Sequence, residues 1–452
     1  MLEKWFQLKK NGTTVQNELI AGVTTFMAMA YILAVNPAIL ADAGIDKGAQ
    51  MIATALAAFA GTLIMGLMAN YPFALAPGLG INAFFAYTIC GQMGYSWQVA
   101  LLFVFVEGII FIVLSLTSLR EKIFDAIPLQ MKNGISVGIG LLIAFIGLQN
   151  AHIIVASETT LVRLTSFREN FHTEGICALL ALVGFLIIVF LQARRVKGAV
   201  LIGILATWAL GMICQLAGIY TVDPENGFAS LFPIWSNFDP AAIRLTFAQC
   251  FQADLSSVPV LDVIILLCTF LYMDTFDTLG ALIGMGKRAH MLDEKGRLPR
   301  IRQALLSDAL ATSIGAVLGT STTTTFAESS TGVEAGGRTG LSSVVTAFLF
   351  LGAIFLAPVF IAIPGFATAP ALIYVGFMMF STVVNIDFHK PLEAVPAYLC
   401  IIVMTLSYSI SEGIAFGMIS YVVLHVVSGR AKEVKPLLYI FAILFVLKYI
   451  FL

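Results

Sequence analysis

An acidic pair inside an apolar stretch is the first candidate for chemistry in this sequence. Asp274 and Asp277 are three residues apart within the apolar segment 259–285, and Thr278 follows Asp274 by four. On a helix these spacings place the three side chains on one face. Two carboxylates that share a face in apolar surroundings resist double ionisation, so one of them is expected to hold a proton. This arrangement suits a proton-coupled carrier. The structural alternative is that a helix terminus or Arg338 caps one of the aspartates.

Another acidic residue, Glu328, lies in the stretch 317–340, VLGTSTTTTFAESSTGVEAGGRTG. Backbone so rich in Gly and Thr is a poor candidate for one uninterrupted lipid-facing helix. Non-helical backbone at membrane depth survives only where it is buried in protein or lines a cavity, and an ionisable residue there indicates a functional site. In extended backbone, a planar ring could stack on Phe326 and donate N–H groups to Glu328, two residues later. Amides of a helix start at Ser329 and Ser330 could donate to the same ligand. Ordinary packing is the alternative for Phe326.

The third polar candidate is Asn82 in the segment 74–90. Pro77, Gly78 and Gly80 interrupt this segment just before it. The amide of Asn82 could offer both a donor and an acceptor to the edge of a heterocycle. A hydrogen bond to a neighbouring membrane helix is the alternative.

Composition defines the broad class. Of the 452 residues, 59% are hydrophobic and 11% are charged, whereas soluble domains carry about 25% charged residues. We therefore expect a polytopic membrane protein, with its first span as the targeting signal because no cleavable leader is evident. The net charge of −1 argues against a nucleic-acid partner. The six cysteines have no paired spacing, which argues against a metal cluster or a disulfide framework.

Apolar runs long enough to span a membrane, which needs about 20 residues, are predicted at 17–40, 48–69, 97–119, 132–150, 175–193, 197–218, 259–285, 303–319, 341–363 and 367–385. Shorter interrupted elements are predicted at 74–90 and 321–337, and a hairpin of two short helices at 394–428. The total is about fourteen segments. The remaining segment, 436–452, is either a helix against the bundle or an extra span.

Basic residues cluster on one predicted side, which places both ends of the fourteen-segment bundle in the cytoplasm of a cell-membrane protein. The basic positions are Lys4, Lys9, Lys10, Arg120, Lys122, Lys132, Arg194, Arg195, Lys197, the stretch 286–302, Lys390, Arg430, Lys432 and Lys435. Glu18 and Glu107 lie near or within spans, and we expect no polar neighbours to make a site around them.

The interrupted elements occupy the third and tenth positions. Two halves of seven spans have opposite orientations because seven is odd. Interrupted segments at corresponding positions of inverted halves point to a transporter binding site at the bilayer midplane.

Three motifs in order, APGLGINAFF, MDTFDTLG and TTTTFAESSTGVEAGGRTG, resemble the adenine/guanine/hypoxanthine permeases. These form the purine branch of the nucleobase:cation symporter (nucleobase–ascorbate transporter) superfamily, and the resemblance covers nearly the whole chain. It implies an all-α polytopic, uracil-permease-like fold of seven plus seven inverted spans, with a core and a gate domain. Short strands in the third and tenth elements would face each other, and substrate would lie between the first, third, eighth and tenth elements.

The resemblance also implies roles for residues of this chain. Asp274 and Glu328 correspond to substrate carboxylates, Asn82 to the amide of the third element and Phe326 to the stacking aromatic. Asp277 corresponds to an aspartate with a structural or proton-linked role. Related uracil carriers have a histidine at the position of Thr278, so a histidine-assisted coupling does not carry over. An aspartate rather than a glutamate at position 274 leaves more room, which is consistent with a bicyclic purine.

The expected function is therefore proton-coupled import of hypoxanthine, guanine or adenine by alternating access. The expected ligands are Glu328, Asp274, Phe326, Asn82, Ser329 and Thr278, and the expected proton-coupling residues are Asp274, Asp277 and Glu328. No cofactor or metal is expected, Na⁺ stays open as the coupling ion, and a homodimer stays open as the assembly. The alternatives are another nucleobase or an anion as cargo, or an intramembrane metal-dependent transferase. The transferase would use Asp274 and Asp277, but it generally needs a second acidic cluster.

The predicted domain organisation has seven parts. They are a cytoplasmic N-terminus (1–16), the first half of the core domain (17–131), the first half of the gate domain (132–218), an external connection (219–258), the second half of the core domain (259–363), the second half of the gate domain (364–428) and a C-terminal segment (429–452).

Overall fold

The computed structural model of the chain describes residues 2–116, 128–157, 159–168, 170–223, 228–233, 239–256, 258–288, 291 and 298–451. Arg120, Lys122 and part of the basic stretch 286–302, on which the predicted orientation partly rests, lie outside these ranges.

The N-terminal half is mainly helical, with one short strand in its third segment and a hairpin of two strands over residues 154–164. Its elements are α1 (Leu2–Phe6), α2 (Val15–Met29), α3 (Ile32–Ala41), α4 (Lys47–Ile64) with the π-helical turn Met65–Ala69, β1 (Leu75–Pro77), α5 (Leu79–Ala83) with the π-helical stretch Phe84–Gln92, α6 (Trp97–Ser115), α7 (Leu129–Asn150), the hairpin strands β2 (Ile154–Ser157) and β3 (Leu161–Leu164), the π-helical turn Phe171–Gly175, α8 (Ile176–Ala193) and α9 (Ala199–Leu216).

The C-terminal half repeats this pattern, again with a strand in its third segment. Its elements are the 3₁₀ turns Pro240–Leu245 and Gln249–Gln252, α10 (Val260–Arg288), α11 (Ile301–Leu318), β4 (Thr323–Thr325), the 3₁₀ turn Ala327–Ser329, α12 (Ser330–Glu334), α13 (Gly340–Ala353), the 3₁₀ turn Ile354–Leu356, α14 (Ala357–Ala362), α15 (Gly365–Phe380) with the 3₁₀ turn Ser381–Asn385, α16 (Pro391–Leu406), α17 (Ile410–Val427), the 3₁₀ turn Ala431–Glu433 and α18 (Pro436–Phe451).

The helices follow the predicted spans in number and order. When the helices and strand of a broken segment are counted together as one segment, the described ranges contain fourteen consecutive segments between α1 and α18. Within the described ranges, nine helical stretches are long and apolar enough by length and composition to cross a membrane. The interrupted third and tenth segments contain strands, and residues 391–427 form a helical hairpin. The predicted all-helical polytopic fold, with short strands in these two segments, is confirmed.

β1 and β4 pair with each other at the centre of the fold. The pairing is antiparallel, with Leu75 opposite Thr325 and Pro77 opposite Thr323. Two further backbone bonds extend the ladder, from Gly78 N to Thr322 O at 3.0 Å and from Phe326 N to Ala74 O at 2.9 Å. Antiparallel pairing of corresponding segments is what two inverted halves of seven segments require.

The first segment forms one apolar helical stretch, Val15–Ala41, as expected for a span over 17–40, with a two-residue turn inside it. α2 ends at Met29 and α3 begins at Ile32. At this turn, Leu33 N donates to Ala30 O at 3.2 Å and Ala34 N donates to Tyr31 O at 3.0 Å, each three residues back. The chain is therefore wound more tightly here than an α-helix. The apolar pattern alone carries no signal for this change.

Helix packing falls into two groups along the chain. In the first, α6 packs against α11, and α13 packs against α2 and α4. In the second, α7 packs against α15 and α16, and α16 packs against α17. The boundaries of the core and gate domains stay a prediction.

The C-terminal helix α18 packs against α17 and α10. The hydroxyl of Tyr449 donates to Glu412 Oε2 at the start of α17.

The close crossing of α7 and α15 depends on two glycines. A Cβ atom on Gly376 would lie 2.5 Å from the carbonyl oxygen of Gly140 and 2.7 Å from Ala144 Cβ. These distances are too short for non-bonded atoms, so the two backbones approach closely only because the methyl group is missing.

Gly376→Ala is expected to destabilise the fold by about 1–3 kcal/mol, because the new methyl group must push two helix backbones apart. Gly352→Ala in α13 is the matched control, since nothing lies within 4 Å of the Cβ it would add. Thermal unfolding of both purified variants in detergent measures the difference. Equal melting temperatures would contradict the close crossing of α7 and α15.

Candidate functional site

The tenth segment changes from strand to helix at Glu328. Phe326, directly after β4, keeps extended backbone with φ −88° and ψ 127°. Ser329 N then donates to Phe326 O at 3.1 Å and closes a 3₁₀ turn around Glu328. The extended backbone expected to run from Phe326 to Glu328 therefore ends at Phe326. Glu328 is half-buried, and Tyr31 Oη donates to its Oε1 at 2.6 Å.

Phe326 and Ser329, on either side of Glu328 in the sequence, are more buried than Glu328 itself. The Phe326 side chain is 7% exposed, and the Ser329 side chain is fully buried. Ala74 N donates to Ser329 Oγ at 2.9 Å. The Ser329 hydroxyl thus anchors the turn to the backbone just before β1, while Ala327 beside it is exposed.

A buried acidic cluster joins α10 to α11. Thr278 Oγ1 lies 2.9 Å from Asp274 Oδ1 and 2.9 Å from each carboxylate oxygen of Asp308. Thr325 of β4 donates to Asp308 Oδ1 at 3.3 Å. Asp274, Thr278 and Asp308 have no accessible surface. The structure therefore brings Asp274 and Thr278 together, as their spacing predicts, and adds a third residue from another helix.

Asp277, one residue before Thr278, keeps accessible surface. Thr324 Oγ1 of β4 donates to Asp277 Oδ2 at 3.3 Å. β1 comes close at Gly78, where an added Cβ would lie 3.2 Å from Asp277 Oδ2. The Arg338 guanidinium donates to two backbone carbonyls of its own loop. Asp277 thus lies beside the strand crossing, where a solute could reach it.

Asn82 lies in a hydrogen-bonded network away from the accessible groups. Its Nδ2 donates to Asn36 Oδ1 at 2.5 Å, and Ser321 Oγ donates to its Oδ1. Asn36 Nδ2 in turn donates to Thr54 Oγ1 at 2.7 Å and to Thr320 Oγ1 at 3.0 Å. Asn82 is fully buried. The structure thus uses both heteroatoms of this amide to join α3, α4, α5 and the approach to β4.

The groups at the strand crossing fall into two kinds. Asp277 and Glu328 are accessible carboxylates, and α10 packs against both β4 and the turn that carries Glu328. Asp274, Asn82 and Ser329 are buried in contacts within the protein. No cluster of three or more His, Cys, Asp or Glu side chains in the described ranges is arranged to hold a metal ion.

Two residues of this region were not expected from the sequence. Tyr31 carries no local signal, because its partner Glu328 is 297 positions away. Asp308 does carry a local signal, because it is an acidic residue within the apolar segment 303–319. Ionisable residues within a membrane span cost free energy and usually mark a functional site.

The expectation that Glu18 and Glu107 lack polar neighbours is wrong. Glu18 accepts bonds from Arg338 N at 2.8 Å and from the backbone and hydroxyl of Ser342 at 3.1 and 2.5 Å. Glu107 Oε2 accepts from Thr322 Oγ1 at 2.8 Å. Both carboxylates are fully buried. Their partners come from distant parts of the chain, so no local pattern shows them.

In the described part of the chain, fourteen mainly helical segments and a buried pair of short strands give the architecture of a multi-pass membrane protein. The fold is shared with the transmembrane domain of a cyanobacterium bicarbonate transporter, BicA. The TM-score is 0.64 at 16% identity, over 88% of this chain and 97% of that chain. The likeness at this identity concerns the fold alone.

The family follows from the sequence comparison. The profile of the Permease family matches residues 16–416. The chain is 44% identical to the guanine/hypoxanthine permease PbuG of Bacillus subtilis over 460 residues, which cover 100% of both chains. It is 40% identical to the adenine permease AdeP of Escherichia coli over 452 residues, which cover 100% of this chain and 96% of AdeP. The chain belongs to the Permease family and is a transporter rather than an enzyme, so the transferase alternative is wrong.

Asn82→Ala is expected to lower the free energy of unfolding by about 1–3 kcal/mol, because it leaves Asn36 Oδ1 and Ser321 Oγ buried without their partner. Asn133→Ala is the control, since it removes an amide that donates to Asn385 O at an exposed site. Thermal unfolding without substrate distinguishes the two roles considered for Asn82. Wild-type stability combined with lost substrate binding would contradict the structural role.

Proposed function

We propose that this permease carries a purine nucleobase across the cell membrane by alternating access, with protons as the coupling ion. Relatives matched over their full length are named guanine/hypoxanthine and adenine permeases, which supports a purine as the cargo. The observation that carries the proposal is Glu328, a half-buried carboxylate in the turn after β4, which accepts a hydrogen bond from Tyr31 and follows the aromatic Phe326 by two residues.

The chemistry of a purine suits this position. The ring is planar and carries N–H donors, which a carboxylate accepts in short charge-assisted hydrogen bonds. Glu328 would accept a ring N–H, and Phe326 would contact the face of the ring. The resemblance assigns a second ring contact to Asp274. Since Asp274 is fully buried here, that contact requires a conformation in which Asp274 is accessible.

Other residues would serve the site indirectly in this conformation. Asn82 and Ser329 hold the two strand-bearing segments in place through their hydrogen bonds. Asp277 is accessible beside the strand crossing and accepts from Thr324. We assign Asp277 to proton coupling or to polar contact with the purine, and Asn82 and Ser329 to the support of Glu328.

The number of hydrogen atoms available for hydrogen bonding between Asp274, Thr278 and Asp308 supports proton coupling at this buried cluster. The hydroxyl of Thr278 has one hydrogen to donate, yet its oxygen contacts carboxylates of both Asp274 and Asp308 at 2.9 Å. A protonated carboxyl would supply the second hydrogen, whereas with both carboxylates ionised the one hydroxyl hydrogen would have to be shared between them. Two carboxylates in such a dry place also repel each other, which favours one shared proton. We therefore place the coupling proton on Asp274 and Asp308.

The proposed orientation follows from the basic residues. The N-terminus is proposed to lie in the cytoplasm, so α10 would run from the external side at Val260 to the cytoplasmic side at Arg288. Asp277 lies closer to the cytoplasmic end than Asp274. An accessible Asp277 below a buried Asp274 fits an inward-facing conformation.

Cells without their own carriers are expected to take up one or more of radiolabelled hypoxanthine, guanine and adenine when they make this protein. A protonophore should abolish the uptake, and replacement of Na⁺ should leave it unchanged. Glu328→Gln is expected to lower uptake at least about tenfold, because the amide offers a ring N–H a weaker, uncharged acceptor.

Glu393→Gln, at the start of α16, is the control for the loss of a carboxylate elsewhere. An N-terminal epitope tag reports the amount of each variant at the membrane. Because the N-terminus is proposed to be cytoplasmic, antibody should reach the tag only after the cells are permeabilised. Wild-type uptake by Glu328→Gln would refute the role of Glu328. Uptake that requires Na⁺ would refute the coupling ion.

Asp308→Asn tests where the proton is held. The amide introduced at this position brings its own hydrogens to Thr278 and needs no proton, so purine movement is expected to uncouple from the proton gradient. Exchange of internal for external purine should persist, whereas accumulation above the external concentration should be lost. Accumulation at the wild-type level would contradict a coupling proton on this cluster.

A further inference from the structure

We infer that Tyr31 is the residue that positions Glu328 for its ligand. Tyr31 Oη donates to Glu328 Oε1 at 2.6 Å. The Tyr31 side chain is only 1% exposed, so it has almost no surface with which to meet a ligand. Tyr31 therefore acts through Glu328, as a positioning residue. Because this role concerns how Glu328 meets the purine, it rests on the function proposed above.

The place of Tyr31 in the fold supports this role. It lies in the two-residue turn between α2 and α3, where Leu33 N and Ala34 N bond three residues back, while Val35 N bonds four residues back to Tyr31 O. Tight turns inside a helix often mark functional hinges. α2 packs against α12 and α13, while α3 packs against α4 and α5. The Tyr31 hydroxyl thus links the turn in the first segment to the turn in the tenth.

The chemistry of the pair explains what Tyr31 contributes. A carboxylate has two oxygens, and the Tyr31 hydroxyl occupies Oε1. A bond to one oxygen fixes the plane of the carboxylate and leaves Oε2 to accept a ring N–H. A charged acceptor makes this a strong hydrogen bond. Because the carboxylate is already ordered, less side-chain freedom is lost when the purine binds.

Removal of the hydroxyl should therefore weaken binding without slowing the conformational cycle. Tyr31→Phe is expected to raise the KM for the purine that the wild-type chain transports about tenfold, the loss of one hydrogen bond to a charged group. Vmax per carrier should stay within about twofold. Tyr439→Phe is the matched control, because it removes a hydroxyl that donates to Ala431 O far from the site.

The KM does not depend on the amount of carrier, so it reports the role of Tyr31 even if the variant is made at a lower level. A purely structural tyrosine would lower the amount of protein and leave KM unchanged. An unchanged KM in Tyr31→Phe would overturn the inference. If the wild-type chain transported no purine at all, the proposed function would fail instead, so the two failures are distinguishable.

Glu328→Asp tests whether Tyr31 acts through Glu328. The shorter side chain withdraws the carboxylate from the Tyr31 hydroxyl, so adding Tyr31→Phe to this variant should raise KM by less than about twofold. A further rise of about tenfold in the double variant would mean independent effects. That result would overturn the role of Tyr31 as a positioning residue.

Discussion

Backbone hydrogen bonding inside a membrane is the constraint on which this structure depends. The chain leaves the helical conformation at residues 74–78 and 322–326, and lipid offers no partner for the amides released there. The two stretches hydrogen-bond to each other's backbone, through the antiparallel β1–β4 pair and the two backbone bonds that extend it. The turn that carries Glu328 begins where this pairing ends. The position of Glu328 is thus a consequence of the backbone hydrogen bonds between the two broken segments.

The run of threonines in the tenth segment meets two requirements at once. β-branched side chains favour strand conformation, and each hydroxyl can donate to an acid at a depth where water is scarce. Thr322 donates to Glu107 of α6, Thr324 to Asp277 of α10 and Thr325 to Asp308 of α11. β4 and the residue just before it therefore contact acids from three helices.

The parts of this fold that local patterns determine could be predicted from the sequence. Apolar runs indicated the segments, and Gly, Pro and Thr indicated where the third and tenth would break. Partners far apart in the chain could not be predicted, since Tyr31 meets Glu328 only through the packing of whole segments. The backbone at Glu328 was mispredicted as extended, because a 3₁₀ turn begins at Ala327, two residues after β4. Asp308 carried a signal as an acid among apolar residues, but no second acid nearby in the sequence drew attention to it. The sequence left two roles open for Asn82, and the structure places it in a structural network.

A structure of the purified protein with its purine bound, determined by electron cryo-microscopy, tests the central claim most directly. We predict that the ring lies against Phe326, with a ring N–H within hydrogen-bond distance of Glu328 and the Tyr31 hydroxyl on the other carboxylate oxygen. Density for the purine elsewhere in the bundle, or against Phe326 with Glu328 turned away from it, would contradict the account.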